Sequence, residues 1–326
     1  MTVTVGSTTA QGRSHLDFVP DLSFHRAIPT SASNAPAVSI TVGGVRVQLL
    51  GLSADQVIAL RERFGIFFSS EATPVRSFVF DVCTVSNDAF LATHGTPSEL
   101  YRINIAEESG AVLATSHEWS CWFSQEEGRG GLVLTAVTSR DPKAFDRALE
   151  NFLRVLYSHA LLDDDAFLLH AAGLVRDGRA YLFFGPSGSG KTTVTTMSPE
   201  AMVLSDDLTL VKVINENGRL VCYSSSVPFR GVFAPRPERE TLYPVAGFFR
   251  LIQDTTDHLV PLSGARAVGE IVASLPFVTE RHDLAGRAID VVSKAVIPEG
   301  GTPVFQLHFR KDRTFWNAIA PVGDAA

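Results

Sequence analysis

Nine consecutive residues, Gly185-Pro186-Ser187-Gly188-Ser189-Gly190-Lys191-Thr192-Thr193, constrain this chain more than any other stretch. They fit G-x-x-x-x-G-K-[ST], the pattern of a phosphate-binding loop. Gly188 and Gly190 can take positive φ and leave room for an anion against the main chain. Successive N–H groups then point inward as a nest, and the helix that follows adds its positive end. Lys191 is placed to reach β- and γ-phosphates, and the Thr192 hydroxyl to hold Mg²⁺. The flanks fit: Ala180-Tyr181-Leu182-Phe183-Phe184 reads as a buried strand, and Lys191 to Met197 as a short helix. A flexible Gly/Ser turn would not need Lys-Thr directly after its last glycine.

The remaining chemistry is expected at Asp206-Asp207, which follow the apolar run Ala201 to Ser205. Adjacent carboxylates at the end of a buried strand repel each other and are costly to desolvate unless a cation sits between them. Mg²⁺ takes oxygen ligands, so one Asp, with Asp206 the assigned ligand beside Thr192, can hold it directly or through water. The other can then accept a proton from a hydroxyl, and the sequence leaves open which of Asp206 and Asp207 is that base. His170 is a further candidate, since it ends a strand next to the loop-feeding strand and can poise these groups. Arg230, in Ser226-Val227-Pro228-Phe229-Arg230-Gly231, can neutralise charge on a phosphate in flight.

At 326 residues the chain is long enough for two domains, and its 45% hydrophobic content supplies a large core. Residues 1–36 read as a poorly ordered arm, with Phe18, Leu22 and Phe24 as possible anchors. Residues 37–162 read as a mainly antiparallel α+β domain, and 163–326 as the catalytic domain. In the first domain, Val38 to Val42 and Val45 to Leu49 flank Gly43-Gly44 as a hairpin. Ser53-Ala54-Asp55-Gln56 is a capping box for a helix to about Phe64. Strands are expected over 75–85, 100–106, 112–123 and 132–137. Asp141-Pro142 opens a helix whose Phe145, Leu149, Phe152, Leu153 and Leu156 share one face. In the second domain, 166–175 reads as one strand, and 208–214 with 220–224 as a hairpin. The last strand is 304–309, before a closing helix capped by Asp312 and Thr314.

A net charge of −7 and a pI near 5.7 give no footprint for nucleic acid or an anionic membrane. Three widely spaced cysteines without C-x-x-C spacing fit free thiols in a reducing compartment. No apolar run reaches the length of a membrane span, so a cytoplasmic protein is expected. ABC-transporter ATPases spell the loop in the same way. Here no apolar strand ending in Asp-Glu follows Leu262-Ser263-Gly264-Ala265-Arg266, their nearest echo.

Taken together, these residues resemble the HPr kinase/phosphorylase catalytic domain and the wider HPr-kinase-like proteins, over about residues 163–320. The resemblance rests on His170 lying 21 residues before Lys191, the loop itself, Ser205-Asp206-Asp207, and Phe229-Arg230-Gly231. Val304 to Trp316 also resembles HPr-kinase-like proteins found near peptide-modifying gene clusters. The resemblance implies an α/β, mixed-sheet fold of the phosphoenolpyruvate carboxykinase type, with the loop on its edge. It also implies ATP, Mg²⁺ and transfer to a hydroxyl, typically serine, of a peptide, protein or small molecule. By the matched positions it places His170, Asp206 and Asp207 in the active site. Where HPr kinases carry a glutamate two residues before the arginine, this chain has Pro228, which sets the phosphorylase signature aside. A second reading is a nucleotide-gated binding protein without transfer. The acceptor is not marked in the sequence, and a homo-oligomer is possible.

Overall fold

The computed structural model describes residues 37–68, 74–86, 90, 101–229, 231, 233, 241–279, 282–297 and 300–324. The expected arm at 1–36 and Arg230 lie outside the described residues. By contacts, the chain divides into two compact units. The first takes the described residues up to Leu153, apart from Thr41–Val45 and residues 74–75. The second takes those two segments and the described part of Arg154–Ala326.

The first unit is built on a seven-stranded sheet. Its strands are β1 (Val38–Val42), β2 (Val45–Leu50), β3 (Arg76–Val85), β4 (Asn104–Glu108), β5 (Ala111–Thr115), β6 (Trp119–Ser124) and β7 (Arg129–Thr135), in the order β1-β2-β3-β7-β6-β5-β4. The pairs among β4 to β7 are antiparallel, whereas β3 and β7 run parallel. The expected single strand over 112–123 is two, β5 and β6, which turn back on each other between Thr115 and Trp119. Helix α1 (Ala54–Phe64) starts on the Ser53/Gln56 capping box, with both reciprocal hydrogen bonds formed. A one-turn helix α2 (Ala136–Arg140) precedes the long helix α3 (Pro142–Ala160). Asp141 accepts from the Lys143 N–H at 3.0 Å, and Pro142 occupies the first helical position. The core of this unit is aromatic: Phe80 packs edge-on against Phe152 at 4.8 Å, and Trp119 meets the same ring at 6.2 Å.

The second unit holds a nine-stranded mixed sheet. Its strands are β8 (Ala166–Leu169), β9 (Ala171–Arg176), β10 (Arg179–Phe184), β11 (Met202–Ser205), β12 (Thr209–Glu216), β13 (Arg219–Ser225), β14 (Tyr243–Gln253), β15 (His258–Leu262) and β16 (Val304–Phe309). The order is β11-β9-β10-β14-β13-β12-β8, with β16 pairing both β14 and β15. The mixed α/β architecture is therefore as expected. The loop, however, does not leave an edge strand. β10 lies inside the sheet, antiparallel to β9 and parallel to β14. Its continuous apolar run reflects burial on both faces.

On one face, Leu182 and Phe184 pack with Phe248 under helices α5 (Gly264–Val272) and α6 (His282–Val296). On the other, Tyr181 and Phe183 pack with Phe249, Phe309 and Val194 of helix α4 (Lys191–Thr196), and with Phe315 of helix α7 (Phe315–Asp324). The tight turn into β10 is Asp177-Gly178, with φ of 51° and 74°. These left-handed values suit a two-residue hairpin. Cys83, Cys121 and Cys222 are all free, and burial pushes the Cys222 thiol up to about 11.

Candidate functional site

Two departures from regular pairing build the site. The expected strand over 166–175 is broken at His170. Before it, β8 pairs β12; after it, β9 pairs β10 and β11. The chain after β11 does the same in reverse, leaving β9 at Ser205 and joining β8 from Thr209. His170 and Asp206-Asp207 therefore sit where two neighbouring segments exchange partners. Such switch points open a crevice at the ends of the strands. The Asp-Asp turn is held by Ser205, whose Oγ accepts from the Asp207 and Leu208 N–H groups at 3.1 and 3.2 Å.

The glycine-rich loop leaves β10 at the same end. A cleft of about 430 Å³ is lined by Ser187, Gly188, Gly190, Lys191, Thr192 and Thr193 together with His170, Asp206 and Asp207. The same cleft is lined by Gly231, from the Phe229-Arg230-Gly231 segment, and by Gln253 and Lys311, which the sequence reading did not single out. Gly185, Pro186 and Ser189, the other expected loop contacts, do not line it.

Lys191 opens α4 and is 9% exposed. Its Nζ donates to the carbonyls of Gly185 at 2.8 Å and Pro186 at 3.3 Å, so the ammonium lies along its own loop. Burial pushes its pKa down, while the Asp207 charge opposes that shift. Gly190 has φ +113°, and a Cβ built there would stand 2.7 Å from Phe309 Cζ. Gln253 Nε2 donates to the Gly188 carbonyl at 2.7 Å and so braces the loop from β14.

The two aspartates have different surroundings. Asp206 is 5% exposed, and its Oδ1 accepts from the Phe233 N–H at 3.2 Å. Gly231 passes so close that any Cβ there would overlap the Asp206 carboxylate. Asp207 is more open. Its Oδ2 accepts from Arg154 at 2.8 Å, and His170 Nε2 lies 3.3 Å from its Oδ1. Burial alone would raise the Asp207 pKa. The hydrogen bond from His170 and the Arg154 guanidinium outweigh it and hold the carboxyl below its usual range.

Arg154 was not expected from the sequence. It stands in α3 among residues that are otherwise buried from Phe152 to Ala160, with its guanidinium 5.6 Å from the centre of the Phe229 ring. A single arginine in so apolar a run needs an anionic partner, and that was the signal available.

One measurement follows from this pair. Asp207 has a depressed folded-state pKa, so it contributes stability above the ordinary aspartate range. That stability disappears as pH falls through the folded value. Arg154→Gln is expected to raise the Asp207 pKa and to cost about 1–2 kcal/mol at neutral pH, because the pair is only partly screened. The difference from wild type should vanish once both proteins are protonated below the ordinary aspartate pKa. Urea midpoints across pH, with carboxyl NMR titration of Asp207, check this. An unchanged titration would show that His170 alone sets the shift.

The second unit is thus a mixed α/β domain whose glycine-rich loop leaves an interior strand beside two aspartates and a histidine. Residues 139–322 match the family model described as "SynChlorMet cassette protein ScmC". This is more than half of the chain, and the chain belongs to that family. Among solved structures, it is similar to the Hpr(Ser) kinase/phosphatase from Coxiella burnetii. That match has 12% identity over 47% of this chain and 94% of the other, with a TM-score of 0.24, a likeness too slight to define a shared fold. No curated protein matches the sequence. Among the described residues, no helix is long and apolar enough to cross a membrane.

Proposed function

We propose that this protein is an ATP- and Mg²⁺-dependent kinase that transfers the γ-phosphate to a hydroxyl of a peptide, protein or small molecule. One observation carries the reading: the glycine-rich loop, His170, Asp206 and Asp207 line the same small cleft. We read residues 163–326 as the catalytic part, with a P-loop core of the HPr-kinase type, and 37–162 as a domain of separate role. The chain is read as cytoplasmic.

The donor set suits the ligands. A lysine ammonium and loop N–H groups are complementary to a triphosphate, and a threonine hydroxyl with carboxylate oxygens matches the preference of Mg²⁺ for hard ligands. Thr192 and Asp206 would hold the metal, which when bound neutralises charge on the transferring group. Lys191, already desolvated against its loop, would exchange the Gly185 and Pro186 carbonyls for phosphate oxygens. Contact with a phosphate anion would favour its charged form. Asp207 would orient the acceptor hydroxyl and take its proton, with His170 beside it. A loose phosphoryl-transfer transition state asks little strength of the base, so a carboxylate with a depressed pKa is adequate. Arg154 acts through Asp207, keeping it ionised and aimed.

The acceptor assay tests the reading directly. Labelled ATP is incubated with hydroxyl-bearing peptides and small molecules, and label on an acceptor oxygen is the expected result. A second reading is a nucleotide-gated binding protein. It is favoured by Pro228, which interrupts the kinase/phosphorylase signature, and by the two partners, Arg154 and His170, that already engage Asp207. Tight ATP binding without acceptor-dependent turnover would decide for it.

A further inference from the structure

A second cluster of ligating side chains lies at the ends of three adjacent strands. His258 of β15 is directly opposite His308 of β16. Asp254 follows β14, and its N–H donates to the Phe309 carbonyl at 3.0 Å. His308 Nδ1 is 2.8 Å from Asp254 Oδ2, and the two imidazoles stack with centroids 4.3 Å apart. One ligand atom from each of the three residues lies within 4.8 Å of the others. A tetrahedral zinc ion with bonds of about 2.0–2.2 Å needs donors roughly 3.4 Å apart. The widest spacing in the cluster thus exceeds that of a closed site by no more than a little over an ångström, and the Asp254–His308 pair is already inside it. Asp254 and His258 are exposed, and their present partners are Thr255 and Thr256 of the same turn and His308 of the cluster itself, so closing the site exchanges local hydrogen bonds for metal bonds.

We propose that Asp254, His258 and His308 form a binding site for a divalent transition-metal ion, Zn²⁺ first, and that its occupancy clamps the segment backing the glycine-rich loop. Two imidazoles and one carboxylate are a borderline donor set, suited to Zn²⁺ or Co²⁺ and poorly suited to Mg²⁺. Three protein ligands leave a fourth position open to water at this exposed site. The nearby Asp257 carboxylate is committed to Arg310 and Thr314, so it is not counted among the ligands. The coupling follows from chain adjacency. Gln253, next to Asp254, donates to the Gly188 carbonyl. Phe309, next to His308, lies against Gly190. A metal held by all three would tie His258 to the existing Asp254–His308 pair and so stiffen the positions next to Gln253 and Phe309, whatever the loop binds.

The full chain, stripped with chelator, is titrated with ZnCl₂, CoCl₂ and MgCl₂. One equivalent of Zn²⁺ is expected to bind, Co²⁺ should develop the visible absorption of a low-coordinate site, and Mg²⁺ should not compete. His258→Asn, His308→Asn and Asp254→Asn should each weaken Zn²⁺ binding by at least ~10-fold, since even the loss of outer-shell partners costs that much. His282→Asn, an exposed histidine elsewhere, should leave binding unchanged. Hydrogen exchange of the Gly188–Gly190 amides should slow with Zn²⁺ in wild type and not in His258→Asn. If His308→Asn fails to fold, the exposed His258 carries the test alone. Absence of stoichiometric Zn²⁺ binding, or binding indifferent to His258→Asn, overturns the site. Binding that leaves the loop amides unchanged overturns the clamp.

Discussion

An Asp207→Asn variant is expected to bind ATP as tightly as wild type and to transfer phosphate ~10²–10⁴-fold more slowly, the usual contribution of a general base. The substitution is nearly isosteric, and its amide oxygen can still accept from Arg154, so the fold should hold. It removes the negative charge that faces Lys191 and the proton acceptor together. Binding should therefore be unchanged or slightly tighter while turnover collapses. Asp206→Asn is expected to differ, because Asp206 is the more buried of the two and is the proposed metal ligand. Its loss should raise the Mg²⁺ requirement as well as lower the rate. Nucleotide titration and single-turnover transfer, measured on both variants, separate the roles. If both variants transfer at the wild-type rate, neither aspartate acts as assigned.

Gly190→Ala is expected to cost about 2–6 kcal/mol of stability and to weaken ATP binding by at least ~10-fold. Two costs combine. A φ of +113° lies outside the conformations that L residues adopt readily, which accounts for about 1–3 kcal/mol. The new methyl group also meets the Phe309 ring, which is fully buried beside Phe315, and overpacking of this kind costs about 1–3 kcal/mol. The double variant Gly190→Ala with Phe309→Leu separates them. It should recover the steric part and leave the backbone part, a coupling that a thermodynamic cycle reads directly. If Gly190→Ala unfolds like wild type and still binds ATP, the loop does not hold the described conformation.

Short-range physics made much of the second unit legible. The turn Asp177-Gly178 and the loop glycines mark left-handed backbone, and the Lys-Thr pair marks the helix start. Asp206-Asp207 stood out because two carboxylates after an apolar strand need a reason to be there. β14 was not among the expected strands, and it carries Pro244 and Gly247, which interrupt its apolar pattern. In the fold, the Pro244 end pairs only briefly with β13, and Gly247 lies beside Tyr181 of β10. The break at His170 was hidden for a different reason. An apolar run looks the same whether it keeps one set of partners or changes them halfway.

The sequence by itself determined the glycine-rich loop, the strand that feeds it, the paired aspartates and the histidine, because each is written in neighbouring residues with a local conformational cost. Only the tertiary structure decided that β10 is interior, that Arg154 from a preceding helix neutralises Asp207, and that Gln253 and Phe309 brace the loop. It likewise decided that Asp254, His258 and His308 converge. Apart from Asp254 and His258, which are near neighbours, those are contacts between residues tens of positions apart, set by strand order and register, and no local pattern encodes which strand a given strand will lie against.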